Sequence, residues 1–355
     1  MIDIVIKNYF PNATSYNVKP FGNGHINDTY KVEFENPSST YLLQRINTSV
    51  FKNPEIIIEN HLRLQNEFSK NNHSLAIAQL MPDNNGKYLY IDNSGGAWRL
   101  TTFFKDSYSI EVVDENWQAY QSGVGYGWFV KESQFLNTSD FQEPIKDFHR
   151  LTFRLNQLDE AITNNIAGRL KSVEPIVRFF KNMEKSLVQI ERLIDKGDLP
   201  LRIVHNDTKL NNILFRNNTV VAVIDLDTAG PGSIINDYGD ALRTSANNAA
   251  EDEKKLEKVS FNLNAFRAFS TGYIQQVKTV LTEKEKIYLY RAPVFMTYIM
   301  GIRFLADYLN GDIYYKTAYS EHNLDRCKVQ KKLIESMESH EDISKRIILE
   351  CLKAN

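Results

Sequence analysis

Between His205 and Asn212 the chain reads HNDTKLNN, and the apolar strand that follows ends in Asp225-Leu226-Asp227. A carboxylate at Asp225 and an amide oxygen at Asn212, brought together across a hairpin, suit a hard cation such as Mg²⁺. Asp207 is then left as a carboxylate aimed at the same place. Phosphoryl transfer from a nucleoside triphosphate requires these parts: a metal ion to neutralise phosphate charge, and a carboxylate to orient the attacking hydroxyl and take its proton. The plainer alternative is a surface loop whose Asp and Asn side chains cap their own backbone turns.

The elements that must position these groups are short strands. Residues 201–204, 212–215 and 220–224 read as strands, with Asn217-Asn218 as the hairpin turn that brings Asn212 to Asp225. An Asp followed five residues on by Asn, then by a strand-terminal Asp, is the spacing found in protein kinases. The Arg and the Phe-Gly that accompany it there are missing. Upstream, strand-like runs at 16–21 and 29–34 flank Gly22-Asn23-Gly24, and 41–46 makes a third strand. Residues 54–68 have helical spacing with Pro54 near the start. Strands at 88–91 and 97–104 are joined by the turn DNSGG. The remainder, 111–196 and 236–355, reads as helix, with an interruption around Gly123 to Gly127. The expected fold class is therefore α+β: a two-lobed, protein-kinase-like arrangement with a β-rich N-terminal lobe (1–105) and a larger helical C-terminal lobe (106–355).

Composition narrows the partners. Hydrophobic residues make up 42% and charged residues 24% of 355, an ordinary globular balance. A formal net charge of −2 without a basic block argues against nucleic acid and anionic membrane surfaces. Cys327 and Cys351, the only cysteines, have neither a disulfide pattern nor metal-ligand spacing. The N-terminus lacks the layout of a signal peptide, and the apolar stretch 292–302 ends at Arg303, too short to span a bilayer. A cytoplasmic, monomeric protein is expected.

With HNDTKLNNIL and VIDLD on the page, the chain resembles the aminoglycoside phosphotransferase and choline kinase superfamily. Within it, the likeness to the N-acetylhexosamine 1-kinases extends over nearly the whole length, through FGNGHINDTY, YLLQRINTSVF, GGAWRL, IDLDTAGPGS, RFLADYLNGDIYY and EHNLDR. The resemblance implies ATP and Mg²⁺ as cofactors and GlcNAc or GalNAc as the small-molecule partner, phosphorylated on the anomeric hydroxyl. It makes Asp207 the catalytic base and Asn212 and Asp225 the metal ligands. Asp227 is left to assist the metal or to hold the strand end. His25, Arg303 and Tyr314 would line the sugar site, Gly22 and Gly24 would form a loop over the phosphates, and adenine would lie at Phe103, Phe104 and Lys105.

Several of these residues have other readings. Two glycines in a hairpin need no ligand, and Arg303 with Asp307 is also a local ion pair at helical spacing. Asp237 is either a helix cap or a brace for the catalytic loop. The strand YLLQRIN carries no Lys to grip phosphates and offers Gln44 or, on the opposite face, Arg45. GVGYG at 123–127 lacks the glycine placement of a dinucleotide fingerprint. Kinases of choline, homoserine or aminoglycosides, and a nucleotide-binding pseudokinase, are the rival functions.

Overall fold

A computed structural model describes residues 2–22, 26–35, 39–71 and 73–354. The chain opens with helix α1 (Ile2–Tyr9), followed by strands β1 (Tyr16–Pro20), β2 (Asp28–Phe34) and β3 (Ser39–Ile46). Helix α2 (Pro54–Phe68) comes next, then β4 (Ala76–Ile77), β5 (Leu80–Met81), β6 (Tyr90–Ile91) and β7 (Ala97–Thr102). The antiparallel sheet runs β1-β2-β3-β7-β5, with β6 pairing β7. Alternation divides its side chains between two cores. Val32, Leu43, Trp98 and Leu100 pack under Val5, Ile6 and Tyr9 of α1, and Ile46, Leu80 and Ala97 pack under Ile57 and Ile58 of α2. The DNSGG turn is held by Asp92, which accepts from Ser94 N and Gly96 N and from Trp98 Nε1 at 2.7 Å.

The helical part holds α3 (Asn116–Ser133), α4 (Leu151–Asn164) and α5 (Leu170–Asp195). Short strands β8 (Leu201–Val204), β9 (Ile213–Arg216), β10 (Thr219–Val223) and β11 (Gly230–Ser233) are set into it. The chain then continues through α6 (Ile234–Ser245), α7 (Leu263–Val277), α8 (Glu283–Tyr288), α9 (Ala292–Leu309), α10 (His322–Ser339) and α11 (Glu341–Lys353). All of α9 is buried, Arg303 and Asp307 included. Among the described residues no helix is long and apolar enough to cross a membrane. Cys327 and Cys351 are both free thiols, buried in α10 and α11.

Three expectations need correction. Residues 2–9 form a helix that the sequence reading left out. Residues 123–127 do not interrupt a helix but lie inside α3. Their glycines allow α3 to press on α7, since a Cβ on Gly123 would meet Phe269 O at 2.1 Å and one on Gly272 would meet Tyr120 O at 2.2 Å. The upstream strands also number more than five, and β4 leaves the main sheet to pair in parallel with β10 of the β9–β10 hairpin.

Helix α2 carries a buried imidazole. His61 donates from Nε2 to Ala78 O at 2.7 Å, while its Nδ1 has no hydrogen-bond partner. Burial first, then the charge of Arg99, pushes its pKa down to about 4. Folding therefore requires the neutral ring. The stability it contributes is complete above the unfolded pKa of about 6.5 and is lost as pH falls through the folded value, by up to about 3 kcal/mol. Thermal melts of wild type and His61→Gln should diverge in slope across that window, the variant declining less; parallel curves would place the acid sensitivity elsewhere.

Candidate active site

Strand β8 delivers the chain to His205-Asn206-Asp207, and the backbone there is tightly braced. Asp237, in the first turn of α6, accepts from His205 N at 2.7 Å and Asn206 N at 2.8 Å. Thr208 Oγ1 donates to Asp237 O at 2.6 Å. Ser233, not Asp237, caps α6 through its side chain. The brace reading of Asp237 is the correct one. His205 is fully buried. Its Nε2 donates to Ile224 O at 2.8 Å, and its Nδ1 accepts from Asp207 N at 3.3 Å, so one ring links both ends of the hairpin. Asn206 takes a positive φ of 62°, which an Asn tolerates better than most residues.

Strands β9 and β10 are joined by Asn217-Asn218, both at positive φ, as a two-residue hairpin demands. Their pairing, extended by Ile224 N donating to Asn212 O at 3.0 Å, puts Asn212 next to the strand end that carries Asp225. Asn212 Nδ2 donates to Asp207 O at 2.8 Å, which leaves the amide oxygen for another partner. Asp225 sits in the left-handed region at φ 62°, ψ 62°. It is open to solvent yet set deep among protein atoms, and this crowding, followed by the charges of Asp227 and Asp207, pushes its carboxyl up to about 7. The Asp225 carboxylate and the free amide oxygen of Asn212 thus flank one strand end, with the charges of Asp227 and Asp207 close enough to act on Asp225. That donor set fits Mg²⁺, which takes one or two protein carboxylates and completes its shell with water and phosphate. Among the described residues no group of three His, Cys, Asp or Glu side chains forms a metal cage.

Two cations in this site escaped the sequence reading. Lys209, two residues after Asp207, brings its Nζ to 3.2 Å from Asp207 Oδ2. Asp207 first, then Asp225 and Asp240 against the opposing effect of burial, holds the ammonium charged by raising its pKa. Its position within the D-x-K-x-x-N run was the available signal. The second, Arg99 on β7, is buried and lies 2.5 Å from Asp227 Oδ1. It lies within the GGAWRL stretch, but nothing local in that stretch names its partner.

Gln44 and Arg45 resolve as the alternation requires. Gln44 faces Arg99 across β3 and β7 and accepts from its Nε at 3.0 Å. Arg45 points to the other face, over the Trp98 ring at 6.0 Å. Gly22 has φ 78°, a conformation that favours glycine, and Phe21 beside it meets the Phe103 ring edge-on at 5.4 Å. The Phe21-Gly22 end of that turn and Phe103 are thereby neighbours. Phe104 O accepts from Ser107 Oγ at 2.8 Å, and Lys105 O accepts from Arg216 Nη2. Gly24 and His25 lie outside the described residues.

Arg303 is 8% exposed and is ringed by Phe148, Tyr315 and Tyr314, with its guanidinium carbon 5.0, 5.7 and 5.9 Å from their ring centres. It makes no local pair with Asp307. That carboxylate instead accepts from Ile313 N, Tyr314 N, Tyr315 N and Asn323 Nδ2, all within 3.0 Å, and so shapes the loop that carries the two tyrosines. Phe148 packs against His149 with centroids 4.4 Å apart and the rings tilted by 48°, and His149 Nε2 donates to Asn206 O at 2.7 Å. The Arg303 enclosure is therefore linked to the loop that carries Asp207. A surface hollow of about 530 Å³ opens elsewhere, between α2 and the turn at 138–140, and none of these residues lines it.

Residues 133–269 match the phosphotransferase enzyme family. The fold is that of the aminoglycoside phosphotransferases and choline kinases. The chain is similar to an aminoglycoside phosphotransferase from Alicyclobacillus acidocaldarius, with TM-score 0.65, 11% identity and coverage of 98% of this chain and 96% of that one. It is similar to choline kinase from Cryptosporidium parvum, with TM-score 0.57, 12% identity and 99% of each chain covered. It is also similar to a spectinomycin phosphotransferase solved with ADP and spectinomycin, with TM-score 0.59, 10% identity and coverage of 96% and 97%.

Proposed function

We propose that the protein transfers the γ-phosphoryl group of ATP, with Mg²⁺, to the C1 hydroxyl of an N-acetylhexosamine, giving the sugar 1-phosphate and ADP. The single observation that carries the acceptor class is the Arg303 enclosure beside the catalytic loop. An aromatic cage for choline holds an empty place for a quaternary ammonium; here the cation in the cage is the protein's own. A cationic aminoglycoside would want carboxylates, whereas this wall offers a guanidinium and tyrosine rings, which donate to sugar hydroxyls and cover an apolar ring face.

Asp207, oriented by His205 and backed by Asn212, takes the proton of the attacking hydroxyl. An anomeric hydroxyl is more acidic than an ordinary alcohol, so a carboxylate base is adequate. Lys209 lies where it can neutralise charge on the transferred group. Asn212 and Asp225 would hold Mg²⁺, which would offset the phosphate charge. Adenine would lie against Phe103, with Gly22 over the phosphates.

Arg303→Ala should raise the acceptor KM at least tenfold and change the ATP KM less than twofold, since only one substrate loses a contact. The reaction itself is tested by ADP release across a panel of N-acetylhexosamines, choline, homoserine and aminoglycosides. Phosphorus NMR then assigns the product. Coupling to the anomeric proton is expected; coupling to the C6 protons, or turnover only with an amino alcohol, would return the protein to another acceptor class.

A further inference from the structure

The strand lysine of kinase-like folds is missing from β3, and the structure supplies a different cation nearby. Gln44 occupies the lysine's strand. Its Oε1 accepts from Arg99 Nε at 3.0 Å and its Nε2 donates to Thr29 Oγ1 at 3.1 Å, so the amide acts as a rest for the guanidinium. Helix α2, which in such folds offers an acid to the lysine, presents His61 with a neutral ring. The counterion of Arg99 comes instead from the far side of the site: Asp227, two residues beyond the candidate metal ligand Asp225. Arg99 and Asp227 are each 3% exposed.

The contact is a meeting of charges more than an aligned hydrogen bond. Arg99 Nη1 and Asp227 Oδ1 lie 2.5 Å apart, yet neither has a well-directed hydrogen-bond partner. The other oxygen of Asp227 accepts from Asn27 Nδ2 at 2.6 Å, and Asn27 Oδ1 accepts from Asn47 N at 2.9 Å. Two separate segments of the sheet region thus converge on one carboxylate of the metal loop. A buried charge left without its partner is strongly unfavourable, so the two regions are held together at this point.

We infer that Arg99 is a positioning residue that ties the sheet region to the metal loop through Asp227. In this arrangement Asp227 is a clamp and not a metal ligand, and Asp225 remains the carboxylate free to bind the cation. The inference rests on the kinase reading above.

A double-mutant cycle of Arg99→Gln, Asp227→Asn and the pair tests it, with melting temperature in EDTA and MgADP affinity by calorimetry as readouts. Each single substitution should lower the melting temperature and weaken MgADP binding at least tenfold, the scale seen when a group supporting a metal ligand is lost. The double variant should be no worse than the poorer single, because the second change removes a charge already orphaned. The acceptor KM should move less than twofold. Arg99→Lys, which keeps the charge but not the fork resting on Gln44, should recover part of the melting temperature and covers the case in which the single variants fail to fold. Additive losses, or MgADP binding by Arg99→Gln equal to wild type, would overturn the inference, as would a loss of metal dependence confined to Asp227→Asn. Wild-type protein that binds no MgADP would instead overturn the kinase reading, and the clamp's positioning role with it.

Discussion

Asp207→Asn is expected to lower kcat by about 10²–10⁴-fold while leaving MgATP binding within a few-fold of wild type, the usual loss when a general base is removed. The substitution is well placed to isolate chemistry from structure. The main-chain contacts that shape the loop, His205 N and Asn206 N to Asp237 and Asn212 Nδ2 to Asp207 O, do not involve the Asp207 carboxylate. An Asn of equal size leaves them in place. What changes is the proton acceptor, the charge facing Lys209 at 3.2 Å and the long contact from Asn212 Nδ2 to Asp207 Oδ2 at 3.4 Å. Lys209 then has one less anion to hold it, so phosphate binding should tighten or stay level, while turnover collapses. Single-turnover kinetics with pre-bound ATP measure this directly. A variant retaining near wild-type kcat would remove Asp207 from the role of base.

The loop at 205–212 was legible because the chemistry proposed for it needs particular residue types at fixed separations, and the β9–β10 pairing does set Asn212 beside the strand end that carries Asp225. The turns were legible for a similar reason, since Asn217-Asn218 must take positive φ and DNSGG needs Asp92 to gather its amides. Helix α1 was not. Its IDIVIKNY run is rich in β-branched residues, and its helical state is decided by Val5, Ile6 and Tyr9 docking on the sheet. The glycines of α3 misled in the opposite sense. Each costs about 1 kcal/mol in a helix interior, but here they admit the backbone of α7. Arg303 and Asp307 had the spacing of an ion pair, yet four donors from the following loop and α10 claim the carboxylate. The pairing of Arg99, within the quoted GGAWRL stretch, was not legible, because its partner Asp227 lies in the other half of the chain and only the packed sheet brings the two together.

Asp225→Asn should abolish most turnover, about 10³-fold or more, and should do so more completely than Asn212→Ala. A metal ion provides several kcal/mol of charge stabilisation at a transferring phosphoryl group, and each 1.4 kcal/mol is roughly tenfold in rate. A carboxylate offsets more of the cation's charge than an amide, so the loss at Asp225 is the larger. Asn is the right replacement because residue 225 sits at φ 62°, ψ 62°. Asn tolerates that region, whereas Ala would add backbone strain of its own. The effect on stability should run the other way. In metal-free protein the Asp225 carboxyl is pushed up to about 7, by its deep setting and then by Asp227 and Asp207, so ionising it opposes folding. Stability on this account is fullest near pH 4 and is lost as pH rises through the folded value. Removing the charge relieves that repulsion, screened in part because the residue is open to solvent. At pH 8 in EDTA the Asp225→Asn protein should therefore melt at the same temperature as wild type or higher, while remaining inactive at any Mg²⁺ concentration. A variant that melts earlier would mean that Asp225 serves the fold and not the cation, and wild-type turnover persisting in EDTA would remove the metal from the mechanism.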